Sequence, residues 1–355
     1  MFYNSINNFR AIAIMFIVFG HSFDVSGVVL DSYWEVFFRN LLSGGTILFV
    51  FISGYLFEVV FLKKFTFSKF YFSRASKLLW PYLLLSIIPI CLYIYVSNPI
   101  SDGYFLPKSE GAMSQFMIPF LKYEVTGRFM TAYWYIPFAL LLFLLSPLVV
   151  HVLKKNLKFK VSLILILSCV SIFIHRPVDN MNHFHSVVFF FPVYLTGALV
   201  SQYRESFLKT FQGNLFWLLF LLSISFTLIQ TYFGDVGSYH KPFFEFKGID
   251  YMFLQKILLS FFFFLLLEKY SKSNLFFENL AGTSFAVFFI HPYLIFIFRN
   301  LKLPTPETVL FQWVYFIALS FIFILISMLL ALFTKRILNE KSKYIIGYWP
   351  DLVKI

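Results

Sequence analysis

The sequence predicts an all-α fold: a polytopic integral membrane helix bundle of about ten transmembrane helices, with both termini cytoplasmic. Three observations predict it. Of 355 residues, 59% are hydrophobic and only 13% charged, at a mean hydropathy of +0.78, whereas soluble domains run nearer a quarter charged. Ten apolar segments qualify, or nearly do, to cross ~30 Å of hydrocarbon, which takes ~20 helical residues. Long runs of alternating polar and apolar residues, the mark of a membrane β-barrel, are missing.

The spans are taken in order. Residues 6–23 open the chain; with no basic leader and no small-residue cleavage site they read as a retained first span rather than a signal peptide. Segments 41–61 and 78–97 follow, separated by a basic stretch. The fourth, 134–153, begins on Trp134 and Tyr135. The fifth, 161–175, is short, and 184–200 and 215–233 come next. The eighth, 251–267, is also short and contains Lys256, the ninth, 283–299, contains His291 and Pro292, and the tenth is 309–333. The longest outside loop, roughly 98–133, is polar enough for a small cap over the bundle. The chain is expected to form a single membrane domain over 1–355 without an appended soluble domain.

Orientation follows from Lys and Arg, which collect on cytoplasmic loops. Alternating ten spans places 19 of the 29 basic residues on one side, among them Arg10, Lys63, Lys64, Arg74, Lys77 and Lys335. The net charge of +12 is therefore a topology signal, and no nucleic-acid partner is expected. Cys91 and Cys169 lie within apolar runs, so a disulfide framework is not expected.

Two residues in the first span carry the chemical interest. His21 follows Arg10 by eleven positions, ~16 Å along a helix, and eleven steps of ~100° return to nearly the same face. With the N-terminus inside, Arg10 sits at the cytoplasmic interface and His21 toward the outer leaflet. One reading makes Arg10 a topological anchor and His21 a satisfied interfacial histidine. The other sets the phosphates of a long anionic cosubstrate at Arg10 and its reactive end at His21; intramembrane ionisable residues are functional hypotheses by default. Asp24, three residues on, could face His21 and fix its tautomer, or be the first solvated residue of the loop.

Further phrases then line up in order: "RAIAIMFIVFGHS" (10–22), "LFVFISGYLF" (48–57), "FYFSRASKLLWPYLL" (70–84), "YWYIPFALLLFLLSPLV" (133–149), "FFFPVYLTGALV" (189–200) and "LAGTSFAVFFIHPYLI" (280–295). Together they resemble the acyltransferase-3 family of integral-membrane O-acyltransferases, over nearly the whole chain. The chain departs from the family pattern at Lys77, where a second arginine is usual, and at Phe285 and Phe288, where tyrosine is common. Lys77 keeps the charge but loses the planar fork that suits phosphate.

The resemblance implies transfer of an acyl group, acetyl first, from cytoplasmic acetyl-CoA to a hydroxyl of a cell-surface polysaccharide or its lipid-linked precursor, in the inner (plasma) membrane. Acyl-CoA is a cosubstrate, and no permanently bound cofactor is implied. His21, with Asp24, would be catalytic, as base or as transient acyl carrier. Arg10, Arg74 and Lys77 would hold acyl-CoA, although the basic pair could equally anchor topology. Ser53, Tyr55, Trp134, Tyr135 and His291 are candidate acceptor or site-lining residues. Gly54 reads as a packing device, and Trp134 and Tyr135 as interfacial aromatics or a sugar-stacking surface. His183 and His185 read as a solvated loop rather than a metal site, since zinc wants three or four ligands. A transporter or flippase of a glycan or lipid-linked intermediate is the alternative. Oligomeric state is left open.

Overall fold

A computed structural model describes residues 4–95, 103–211, 213–270, 272 and 274–348; the predicted end of the third span, 96–97, lies outside them. The helices are α1 (Asn4–Ser26), α2 (Tyr33–Leu42), α3 (Gly45–Phe61), α4 (Phe67–Tyr95), α5 (Ile118–Thr126), α6 (Tyr135–Leu144), α7 (Ser146–Leu153), α8 (Leu157–Ile174), α9 (His183–Gln202), α10 (Arg204–Thr210), α11 (Phe216–Tyr232), α12 (Tyr251–Tyr270), α13 (Leu275–Leu301), α14 (Val309–Leu338) and α15 (Ser342–Ile346). Eight helical stretches are long and apolar enough to cross a membrane. The α6–α7 pair forms a broken ninth, and α11, with 17 residues, is a shorter apolar helix. Within the described residues each of the ten predicted spans is largely helical, and the protein is a polytopic membrane bundle.

Three segments differ in shape from expectation. The span 134–153 is not one helix: it bends by 53° between α6 and α7, because Pro147 has no N–H to give the preceding turn and its ring crowds that turn's carbonyls. Segment 41–61 breaks at Gly44, which takes φ +80°, and a Cβ there would meet the Met252 sulfur at 2.8 Å. The residues ahead of the break form α2, capped by a reciprocal box between Ser32 and Glu35. The sequence "MNHFHS" is no solvated loop. Asn182 caps α9 by accepting from the His185 amide, and both histidines are buried in its first turn, with His183 Nε2 2.9 Å from Val125 O. Among the described residues no His, Cys, Asp and Glu cluster could hold a metal.

Side-chain pairs mark the two faces of the bundle. At the ends rich in Lys and Arg, Ser5 donates to Glu268 at 2.8 Å and Arg204 pairs with the same carboxylate; this is the basic face. At the opposite, far face, Arg299 meets Asp24 at 3.5 Å and Arg128 meets Asp179 at 2.6 Å. α1 runs through the interior between them, packed against α3, α12, α13 and α14. α3 and α9 cross at backbone contact. A Cβ on Gly54 would lie 1.9 Å from Tyr194 O, and one on Gly197 would lie 1.9 Å from Phe51 O. Gly54 is thus the packing device expected of it, and Gly197 is its counterpart.

The far face is closed by loops that aim side chains inward. Residues 103–133 form a cap containing α5 and ending in the turn Gly127–Tyr133, where Gly127 takes φ +65°. Two-residue strands β1 (Arg176–Pro177) and β2 (His240–Lys241) pair in parallel, with Arg176 opposite His240. That pairing ties the loop after α8 to the loop before α12 and fixes both side chains over the interior.

Candidate active site

Two cavities lie along α1, one toward each face. The inner, of about 370 Å³, is lined by Arg10 from α1, by Arg74 and Lys77 from α4, and by Ser53, Tyr135, Tyr194, Phe285 and further phenylalanines. Arg10 is buried inside the bundle, at 7% exposure, rather than standing at the membrane interface as the spacing argument had it. Its Nη2 donates to Ser284 Oγ at 3.0 Å. A buried guanidinium facing a cavity is poorly placed to anchor topology from a headgroup layer. Arg74 lies with its guanidinium 4.4 Å from the Phe61 ring centre, and its Nε is buried without a hydrogen-bond partner. Leaving such a donor unsatisfied costs about 1–3 kcal/mol, so this N–H is open to an acceptor entering the inner cavity.

The outer cavity, of about 330 Å³, is lined by His21, Arg39, Arg128, Arg176, His240 and Trp134, among others. His21 faces it rather than lipid. Phe49 and Tyr135 alone among the described residues line both cavities. Their rings meet edge to face with centres 6.5 Å apart, so a two-ring septum separates Arg10 and Arg74 from His21.

The partner of His21 is not Asp24. His21 Nδ1 lies 3.1 Å from His291 Nε2, and the two rings are parallel within 4°. His291 Nδ1 in turn lies 2.8 Å from Val287 O. A carbonyl only accepts, so His291 carries its proton on Nδ1 and, as a neutral ring, presents a bare Nε2. His21 Nδ1–H must therefore donate to it. The neutral His21 then has its lone pair on Nε2, free to act on whatever enters the outer cavity. Val287 lies one turn back on α13, where its carbonyl is within reach of the His291 ring; the next residue, Pro292, lacks an N–H and leaves the Phe288 carbonyl without its usual intrahelical partner. Asp24 is exposed at the helix end, 3.5 Å from Arg299, and no hydrogen bond joins it to His21 among the described residues. Three positions along a helix bring side chains near each other, but here the carboxylate turns out to water and a guanidinium.

The remaining predicted residues divide. Ser53 lines the inner cavity while its hydroxyl bonds back to Phe49 O at 2.9 Å. Tyr135 stands in the septum. Tyr55 lies outside both cavities, buried against the Phe264 ring of α12 at 5.5 Å between centres. Trp134 is no interfacial aromatic: it is buried, Arg176 lies 5.0 Å from its ring centre, and Phe190 stacks on it at 6.1 Å. It lines the outer cavity beside Arg176, which its ring supports. Lys77 and Arg74 share the inner cavity, as one face of a helix should.

Sequence reasoning missed Ser284, Phe49, Arg39, Arg128, Arg176 and His240. Ser284 was visible in the quoted ninth-span phrase as the small polar residue before Phe285. The arginines carried a fainter signal, being basic residues on the side where positive charge is scarce. The pairing of the 176–177 and 240–241 segments had no signal at all, since two-residue strands leave no periodicity.

The acyltransferase-3 family, described as "Acyltransferase domain", matches residues 3–332. Searches of curated proteins and of solved structures found no match. A histidine-bearing cavity and an arginine-bearing cavity on one central helix, together with a family match over nearly the whole chain, identify the protein as a membrane acyltransferase of the acyltransferase-3 family.

Proposed function

We propose that the protein is an O-acetyltransferase of the plasma membrane, taking acetyl from acetyl-CoA at the basic, cytoplasmic face and delivering it to a hydroxyl of a surface polysaccharide or its lipid-linked precursor at the far face. The observation that carries this reading is the hydrogen-bond chain His21 Nδ1–H to His291 Nε2, and His291 Nδ1–H to Val287 O, which leaves one basic nitrogen directed at the outer cavity. Arg10, Arg74 and Lys77 suit the phosphates of coenzyme A, and the phenylalanine-lined remainder of the inner cavity suits the apolar parts of its arm.

Two courses use the same nitrogen. As general base, His21 Nε2 removes the acceptor hydroxyl proton while that oxygen attacks the thioester carbonyl. The C–S bond breaks, and the imidazolium returns its proton to the departing thiolate. As carrier, Nε2 itself attacks the carbonyl and expels the thiolate, which takes up a proton; the acceptor hydroxyl then displaces the imidazole and gives up its proton. In both, the hydrogen bond from His21 Nδ1 to His291 strengthens as the ring gains positive charge, which favours the transition state over the ground state. Either course requires the septum of Phe49 and Tyr135 to part enough for the thioester to reach His21.

The test supplies purified protein with radiolabelled acetyl-CoA and a glycan acceptor. Release of CoA with label on the glycan is expected. Movement of glycan across the bilayer without loss of thioester would replace this reading with transport.

A further inference from the structure

The outer cavity is built for an anion. Three arginines line it, and among the described residues no aspartate or glutamate does. Arg128 is neutralised by Asp179 at 2.6 Å, with both side chains about one-third exposed. The other two form no ion pair among the described residues. Arg39 spends one N–H on Gly20 O at 2.9 Å and lies 4.3 Å from the Phe23 ring centre. Arg176 is buried at 9% exposure, donating through Nε to Asn180 Oδ1 at 3.2 Å and through Nη1 to Ser238 Oγ at 2.8 Å. Both partners are neutral. Burial lowers Arg176 only to about 10, so it is a cation at neutral pH. The nearest acid influencing it, Asp250, is itself raised to about 7 by burial and accepts from the Phe253 amide. A buried cation held by neutral groups is under-compensated, and pairing it with an anion recovers what desolvation removed.

The same wall offers a hydrogen-bond acceptor. His240 Nδ1 donates to Pro177 O at 2.7 Å. Burial and the Arg176 charge lower the ring to about 4, so it is neutral and its Nε2 can only accept, which suits a sugar hydroxyl.

We propose that the acceptor is an acidic saccharide, a hydroxylated sugar ring bearing a carboxylate or phosphate oxyanion that Arg176 and Arg39 clasp while a hydroxyl of the ring is presented to His21. This rests on the reading of the outer cavity as the acceptor's site. Planar guanidinium groups bind either oxyanion in bidentate fashion, so the two sources are separated by experiment.

The experiment is a calorimetric titration of the detergent-purified full chain with three methyl glycosides on one ring scaffold: methyl glucoside, methyl glucuronide and methyl glucoside 6-phosphate. At least one charged glycoside is expected to bind about tenfold or more tightly than the neutral one, because charge-assisted hydrogen bonds of this kind are worth about that factor or more. Whichever charged ligand binds tighter identifies the oxyanion. The preference is expected to fall by about tenfold in Arg176→Gln, to fall in Arg39→Gln, and to weaken with added NaCl. Unchanged affinity for CoA and an unchanged melting temperature show that each variant is folded. No preference for either charged glycoside, including failure of both to bind, overturns the proposal, as does a preference that survives in both variants. Failures are distinguishable. Charged-ligand binding without acetyl transfer would sink the proposed function alone, and transfer to the charged glycoside undiminished in Arg176→Gln would sink this inference alone.

Discussion

At the scale of residues, the chemistry converges on one nitrogen. His21→Gln keeps much of the volume and the hydrogen-bonding capacity but provides no basic nitrogen, so acetyl transfer should fall by at least about a hundredfold with expression and acetyl-CoA affinity intact. A variant retaining a tenth of the activity would rule out an essential base or carrier. His291 is a positioning residue. His291→Ala should slow transfer and leave affinity for acetyl-CoA unchanged, whereas His291→Gln, whose amide oxygen can accept from His21 Nδ1–H, should recover part of the loss. Equal loss in both would make His291 merely a packing residue. This pair shows how far single residues were legible. Arg10 and His21 were marked by residue type and helical spacing, because an intramembrane charge needs a reason, and Arg74 by the family resemblance. Of the two readings open for Asp24 the structure matches the solvated one; helical spacing states which side chains are near each other, not which of two neighbours, water or ring, a carboxylate prefers. The His21–His291 contact joins residues 270 positions apart, and no local pattern encodes it.

At the scale of elements, two predictions concern helices that frame the cavities. Gly54→Ala would raise stability in an exposed helix, since Ala is favoured over Gly by about 1 kcal/mol. Here the added methyl meets the Tyr194 carbonyl of α9, so the bundle should lose about 1–3 kcal/mol or more and melt earlier in detergent. A neutral or stabilising effect would contradict the backbone crossing. The second concerns Asp250, whose Oδ1 accepts from the Phe253 amide at 2.8 Å at the start of α12. Its carboxyl is raised from 3.8 to about 7, chiefly by burial, so the folded state holds its proton more tightly than the unfolded state does. Folded protein then binds the extra proton across that window, and stability contributed by this group is complete below about pH 4 and lost as pH rises toward 7. Wild-type protein should therefore lose more melting temperature between pH 4 and 7 than Asp250→Asn; equal slopes would remove Asp250 from the account. Helix existence was the most readable feature of the chain: each of the ten apolar segments is largely helical within the described residues, eight of them in helices long enough to span, one as a broken pair and one as a shorter helix. Helix shape was less so: the break at Gly44 and the 53° bend after α6 depend on the contacts of Gly44 and on which turn Pro147 disrupts.

At the scale of the whole molecule, an arginine-bearing cavity and a histidine-bearing cavity lie along α1, one toward each face, and Phe49 and Tyr135 line both. Arg10 is buried inside the bundle and Arg74 half-buried, both lining the inner cavity. The far face is capped by loops that carry Arg128, Arg176 and His240 over His21. Phe49 and Tyr135 separate the two cavities, so substrates approaching from opposite sides meet only when that septum opens. The septum was not readable, because it is made by two aromatic residues from different spans in a chain with 53 phenylalanines. The most direct measurement uses proteoliposomes with acetyl-CoA and acceptor sealed on opposite sides of the bilayer. Label should reach the acceptor across the membrane when acetyl-CoA is at the basic face, and should fail to do so in His21→Gln. Transfer only when both substrates share one side, or transfer that persists in His21→Gln, would contradict a path from Arg10 and Arg74 to the His21 ring.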